Sequence, residues 1–378
     1  MLGPVKLAFS ATNLFMTDHI KSTVANRLGC LTIDRPRALN ALSLDMVRAI
    51  TAILTAWRDD AAIDAVVIRG SEGRAFCAGG DIRYFYQVAN ATPLGGSASL
   101  EDFFTEEYAL NYLIHFFPKP YIAFMDGIVM GGGMGISQSG PAQRMRVVTQ
   151  RTKMAMPEVN IGLFPDVGGS YFLPRARGCT GIYLGLTGHV IDGVQAVNAA
   201  LADVLIPHEQ LDALQQRLAS EPVSQWRETV AAFETPRTDS ENRSAPDLAE
   251  HDKAIDHHFS LSSVVAIMAS LEQDDTPFAQ AALTSMRKRS PLMLCVTLEQ
   301  LQRGAGMILG DCLRMERSMV RHCFEHSDLV EGIRAAVIDK DDAPRWSPAS
   351  ISAVQPEQVA RFFEPVWPAS AHPLRFLS

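Results

Sequence analysis

The chain is predicted to fold as a mixed α/β protein, and three observations carry that prediction. Up to about residue 201, short β-branched apolar runs alternate with stretches of helical periodicity. Glycine-rich turns follow several of those runs, as they do where a strand hands over to a helix. From about 261 to 334 the periodicity becomes helical throughout. The 378 residues, 47% hydrophobic and 20% charged, can bury a large core.

In chain order, 30–33 and 65–69 read as buried strands, β-branched and bounded by turn residues. Between them 43–57 reads as a helix. Ser43 is its expected N-cap, and Met46, Val47, Ile50, Ile53, Leu54 and Trp57 recur at helical spacing. The stretch 108–117 is helical, with Glu106 and Glu107 before it; local sequence alone favours a solvated first-turn pair there. Residues 121–125 and 146–149 read as strands, and a helix is expected over 134–139, opened by Gly131-Gly132-Gly133. These elements define a unit over 1–220.

Residues 221–253 change character, with Pro222, Pro236, Pro246 and the polar run 236–246. They read as a linker or excursion in which 226–233 has the pattern of a short helix. A helical region then occupies 254–378, with Leu292, Val296 and Leu301 on core faces. Its tail carries Pro344, Trp346, Pro348 and Pro356 and is expected to pack as an extended strap.

The net charge of −8 argues against a nucleic-acid partner, which calls for a basic face. No run of about 18 apolar residues is present, so no membrane partner is expected. Six scattered cysteines without a CxxC pair read as free thiols of a reducing compartment. Residues 1–16 lack the charged opening and cleavage site of a signal peptide, and a cytoplasmic location is the expectation. Phosphate-binding loops, dinucleotide fingerprints and the Gly-x-Ser-x-Gly elbow are absent. His322 and His326 lie four apart, but Cys323 rather than Glu follows the first, so a packed or surface pair is expected and no metal site.

The chemistry concentrates in three segments. Phe76-Cys77-Ala78-Gly79-Gly80-Asp81 and Met130-Gly131-Gly132-Gly133 are turns in which bare backbone can approach a ligand and offer N–H groups to an oxygen gaining negative charge. Either alone is weak; together they read as an oxyanion hole. The third segment carries Glu158 and Asp166, eight residues apart across Gly162 and Pro165. That spacing does not put both on one helical face, but a loop folding back on one pocket would bring them together. Apolar neighbours would hold their pKa values in a range useful for proton transfer.

These segments resemble the crotonase (enoyl-CoA hydratase/isomerase) superfamily, and within it the branch that hydrolyses thioesters. The resemblance runs from Leu31 to Pro348 and is most specific over 156–169 and in Tyr171-Phe172-Leu173-Pro174. It implies a crotonase-like spiral of ββα units with a mostly helical C-terminal region. It further implies that Ala78 and Gly132 donate the oxyanion-hole N–H groups, and that Glu158 and Asp166 are the catalytic carboxylates. Glu107 would contact substrate with Gly132, Glu158 and Asp166, while Arg37, Ala38 and Ala78 would border the CoA.

Hydratases of this superfamily carry a second glutamate two residues after the glycine triplet; here that position is Gly135. Adding water across a double bond needs that second acid/base group. The resemblance therefore implies hydrolysis of a short branched β-hydroxyacyl-CoA, with 3-hydroxyisobutyryl-CoA, from valine breakdown, as the expected substrate. CoA is then part of the substrate, and no cofactor is expected. Glu158 would act as general base or as nucleophile; Asp166 would bind the substrate hydroxyl or orient water and the leaving thiol. An enoyl-CoA isomerase or hydratase, or a non-catalytic acyl-CoA-binding subunit, remains the alternative, and the resemblance admits homo-oligomers.

Overall fold

The computed structural model of the chain describes residues 17–71, 74–92, 97–138, 140–235 and 248–377. The 1–16 stretch read for a leader, the polar run 236–246 and Ser139 at the end of the expected 134–139 helix lie outside the described residues.

Among the described residues ten strands form two sheets: β1 (Ile20–Ala25), β2 (Leu28–Ile33), β3 (Ala65–Gly70), β4 (Ala75–Cys77), β5 (Tyr121–Met125), β6 (Ile128–Met130), β7 (Arg144–Val148), β8 (Lys153–Ala155), β9 (Ile191–Asp192) and β10 (Val204–Leu205). The larger sheet has the order β1-β2-β3-β5-β7-β10 and is parallel except for the β1–β2 hairpin. The smaller has the order β4-β6-β8-β9, with its first three strands parallel. Three times the chain passes from the large sheet to the small one, at β3→β4, β5→β6 and β7→β8, and each time it returns through helical turns. The result is the spiral of ββα units that the resemblance implies.

Both faces of the large sheet are covered, which is why its strands read as continuous apolar runs. Leu31, Ile33, Val66, Ile68 and Ala123 face the main core. The alternate residues Cys30, Val67, Ile122 and Phe124 form a second layer with Leu211, Leu214, Trp226 and Val230. Those last four belong to the helices Leu211–Ser220 and Trp226–Ala231. Each such side chain contributes roughly 1.5–3 kcal/mol on burial. The helix Leu44–Asp59 buries Met46, Val47, Ile50, Leu54 and Trp57 as its spacing predicts, although Ser43 makes no side-chain capping bond.

One helix departs from expectation in a way that matters. It spans Ala98–His115, so Glu106 and Glu107 sit in mid-helix and not ahead of its first turn. Ser97 Oγ accepts the Leu100 N–H at its start. Phe103, Phe104, Glu107, Tyr108, Leu110, Asn111 and Ile114 are buried around more than one face, and that wide burial blurs the amphipathic pattern a sequence reading needs.

In the C-terminal region the helices Pro277–Arg287 and Pro291–Gly304 each start with proline behind a capping hydroxyl, Thr276 and Ser290. Leu292, Val296 and Leu301 are buried. The tail is not wholly extended: a short helix spans Pro356–Arg361, and Phe362, Leu374 and Leu377 are buried against the main core. All six cysteines are free. Among the described residues no helix is long and apolar enough to cross a membrane.

Candidate active site

The three parallel strands of the small sheet end almost abreast, with Cys77 of β4 beside Val129 of β6 and Met130 of β6 beside Ala155 of β8. Whatever follows these ends is therefore delivered to one place. Ala78–Gly80, Gly131 and Gly132, and Pro157 and Glu158 line one cavity of about 220 Å³ with Glu107, Asn160, Asp166 and Val167. Ile82, Phe85, Phe104 and Leu163 supply apolar wall. A wider cleft of about 310 Å³ near β1 holds the Arg27–Asp64 ion pair and no unpartnered buried acid among the described residues.

The glycine turn brings two acids onto the backbone. Gly131 has φ +49, and a Cβ there would lie 2.6 Å from Glu158 Oε1. One on Gly132 would lie 2.7 Å from Glu107 Oε1. Only bare Cα atoms allow both contacts. The expected 134–139 helix is a single turn, Gly132–Gly135, beginning at the glycine itself. Its first N–H groups have no acceptor within the helix.

The resemblance names Ala78 as the partner of Gly132 in an oxyanion hole. The Ala78 N–H already donates to the Leu39 carbonyl at 3.0 Å, because Leu39, left-handed at φ 52 after the Pro36–Ala38 turn, presents its oxygen there. The Gly80 N–H has no hydrogen-bond partner among the described residues, and its nitrogen is 3.4 Å from the Cβ position of Gly132. The N–H groups of Gly80 and Gly132 are thus both without an acceptor among the described residues. Arg37 and Ala38 do not line the cavity; they sit on that neighbouring turn, with Arg37 exposed.

Glu107, Glu158 and Asp166 are 2%, 7% and 5% exposed, so the solvated Glu107 of the local reading does not survive. Glu106, by contrast, faces outward and pairs with Arg48 at 2.6 Å. Glu107 Oε1, Glu158 Oε2 and Asn160 Oδ1 have no hydrogen-bond partner among the described residues. Asp166 Oδ2 accepts the Tyr108 hydroxyl at 2.8 Å, a contact nothing local in the sequence signals. No Lys, Arg or His lines the cavity among the described residues. Burial, then the charge of Asp166, pushes Glu107 and Glu158 well above the ordinary carboxylate range. Asp166 is pushed up by burial to about 6, with the Tyr108 hydroxyl acting against the shift.

This has a measurable consequence. Asp166 holds its proton to higher pH in the folded chain than in the unfolded one, so stability falls as pH rises from about 4 to about 6. A shift of roughly two units corresponds to about 3 kcal/mol. Urea unfolding of the chain and of Asp166→Asn between pH 4.5 and 7 should show the wild type losing up to that amount relative to the variant. Parallel pH curves would remove the raised pKa.

His322, Glu325 and His326 are the one trio of possible metal ligands among the described residues. They do not line the cavity, Glu325 is held by Arg321 at 2.7 Å, and the His322 Nε2 meets the Glu364 carbonyl at 3.0 Å.

Comparison with known proteins completes the description. A family model described as enoyl-CoA hydratase/isomerase matches residues 28–363. The chain is 38% identical over 359 residues to the mitochondrial 3-hydroxyisobutyryl-CoA hydrolase of Rattus norvegicus, covering 93% of this chain and 91% of that protein. It is 41% identical over 345 residues to the Xenopus laevis protein of the same name, covering 90% and 87%. Among solved structures it is similar to a carnitinyl-CoA dehydratase from Mycobacterium thermoresistibile, with TM-score 0.84, 37% identity and 93% and 98% of the two chains covered. An enoyl-CoA hydratase from Rhodobacter sphaeroides gives TM-score 0.80 and 38% identity over 92% and 98%. The relatives' names divide between hydrolysis and (de)hydration, but the match of fold and sequence is continuous across nearly the whole length. The chain belongs to the enoyl-CoA hydratase/isomerase family.

Proposed function

We propose that this protein is an acyl-CoA thioester hydrolase acting on a short branched β-hydroxyacyl-CoA, with 3-hydroxyisobutyryl-CoA as its substrate. The observation that carries the choice over hydration is at Gly135. The hydratase pattern needs a glutamate there, and a Cβ at that position would lie 2.6 Å from Val167 Cβ and 2.8 Å from Asn111 Nδ2. The second acid is missing and its space is filled. The similarity to proteins named 3-hydroxyisobutyryl-CoA hydrolase supports the same choice.

In this reading the N–H groups of Gly80 and Gly132 hold the thioester oxygen as the carbonyl carbon becomes tetrahedral. Glu158 either takes a proton from the attacking water or itself attacks, giving a mixed anhydride that water then opens. In the first route the proton taken from water passes to the CoA sulfur as the C–S bond breaks; in the second the sulfur takes its proton from a water molecule, and the hydroxide left opens the anhydride to the free acid and the Glu158 carboxylate. Asp166, anchored by Tyr108, receives the substrate hydroxyl or orients the water, and Glu107 meets the acyl end. The exposed Arg37 turn, bonded through Leu39 to Ala78, borders the CoA phosphates.

The test is incubation of purified protein with 3-hydroxyisobutyryl-CoA and, separately, an enoyl-CoA, following free thiol and identifying acyl products by mass. Thiol release from the hydroxyacyl ester alone supports the hydrolase. A shifted or hydrated double bond without thiol release replaces it with the isomerase or hydratase reading, and binding without turnover with that of an acyl-CoA-binding subunit. Gly135→Glu is expected to restore no hydration, because the new side chain collides with Val167; measurable hydratase activity in that variant would show that missing chemistry, and not space, is the whole obstacle.

A further inference from the structure

A further buried acid stands behind the site and belongs to no step above. Glu316, on the helix Leu309–His326, is 0% exposed. Its Oε2 accepts the Gly168 N–H at 2.8 Å and its Oε1 the Ser170 N–H at 2.9 Å. Gln300, on the helix Pro291–Gly304 and also 0% exposed, donates from Nε2 to the Pro165 carbonyl at 2.6 Å and to Ser170 Oγ at 2.8 Å. The two side chains thus grip the backbone immediately before and after Asp166. What they grip is a strained turn. Val167 is left-handed at φ 52, a conformation β-branched residues rarely adopt, and Gly168 follows at φ 90. The Gly169 N–H closes the turn onto the Asp166 carbonyl at 2.7 Å. Such a conformation persists only where its surroundings over-determine it.

We propose that Glu316 and Gln300 are positioning residues, which act on the reaction by clamping the strained 165–170 turn so that Asp166 is fixed against Tyr108 and the reacting acyl group. This rests on the hydrolase reading above. The choice of a carboxylate follows from the geometry. Two N–H groups two residues apart point at one side chain, and a carboxylate offers an acceptor to each, whereas an amide would turn a donor toward one of them. Burial of this acid is unfavourable in itself and pushes Glu316 up to about 8, with the Ser170 and Gly168 donors acting against the shift. A fold needing only packing there has apolar side chains to use.

The experiment is a double-mutant cycle. Glu316→Gln is near-isosteric and should lower kcat on 3-hydroxyisobutyryl-CoA ~10–100-fold, as misplacement of a reacting group does, with KM within about threefold of wild type. Amide hydrogen exchange should quicken over 165–170 and stay unchanged over the glycine turn at 130–134. In an Asp166→Asn background the same change should cost less than about threefold, because the group it positions is gone. Equal losses in both backgrounds, or exchange that quickens evenly along the chain, would reduce Glu316 to a structural residue and overturn the proposal. If Glu316→Gln does not fold, Gln300→Met enters the same cycle with the same expected outcomes. Were the wild-type chain inactive on the thioester, the hydrolase reading would fall, and the exchange pattern alone would uphold or overturn the clamp.

Discussion

Glu158→Gln is expected to lower kcat on 3-hydroxyisobutyryl-CoA by ~10²–10⁴-fold, the usual worth of a positioned base, with KM little changed and thermal stability at pH 8 increased. The two halves have one cause. Glu158 is buried beside Asp166 with no cation lining the cavity among the described residues, so burial and that neighbouring charge raise its pKa well above the ordinary value. At pH 8 the unfolded chain carries this carboxylate ionised, while the folded chain resists ionising it, so the native acid opposes folding there. Gln keeps the shape, removes the proton-accepting oxygen and removes that cost. For the same reason wild-type turnover should rise with pH from an acid limb lying above the ordinary glutamate range. Thiol-release kinetics and calorimetry on both proteins check the pair. Near-normal turnover would take Glu158 out of the mechanism, and a lower melting temperature at pH 8 would discard the electrostatic account.

How far the site can be read from the chain depends on where the information lies. Glu158 and Asp166 were legible because each sits among turn residues in one continuous segment, and strand ends followed by glycine are local signals. The strands at 65–69 and 121–125 were equally plain, since runs buried on both faces stay apolar at every position. Glu107 was legible only through the resemblance; its helix is buried on several sides, so its own sequence pointed to solvent. Tyr108 meets Asp166 across 58 positions, and Glu316 meets Gly168 across 148. No periodicity encodes pairings at that range. That the Ala78 N–H is already engaged was hidden for a different reason: a hydrogen bond between Leu39 and Ala78 depends on how two turns dock, and only the folded chain reveals which N–H is spent.

Backbone esters distinguish the Gly80 N–H from the Ala78 N–H as oxyanion donor. An amide-to-ester replacement at residue 80, made by ligation, deletes the N–H and otherwise only weakens the Gly79 carbonyl as acceptor of the Leu42 N–H. It should lower kcat by ~10²–10³-fold, as loss of one oxyanion donor does, and lower the melting temperature only slightly, since this N–H bonds nothing among the described residues. The same replacement at residue 78 should do the reverse. It deletes the bond to Leu39, a loss of roughly 1 kcal/mol of stability, and spares turnover. Proline substitution is a poorer probe, because a Cβ at residue 80 would lie 2.9 Å from the Phe85 ring and push on the cavity wall. If the ester at 78 stops turnover and the ester at 80 does not, the donor pair is Ala78 with Gly132. The Leu39 carbonyl must then give up its N–H when the thioester arrives, which makes the Pro36–Ala38 turn a moving part of the site.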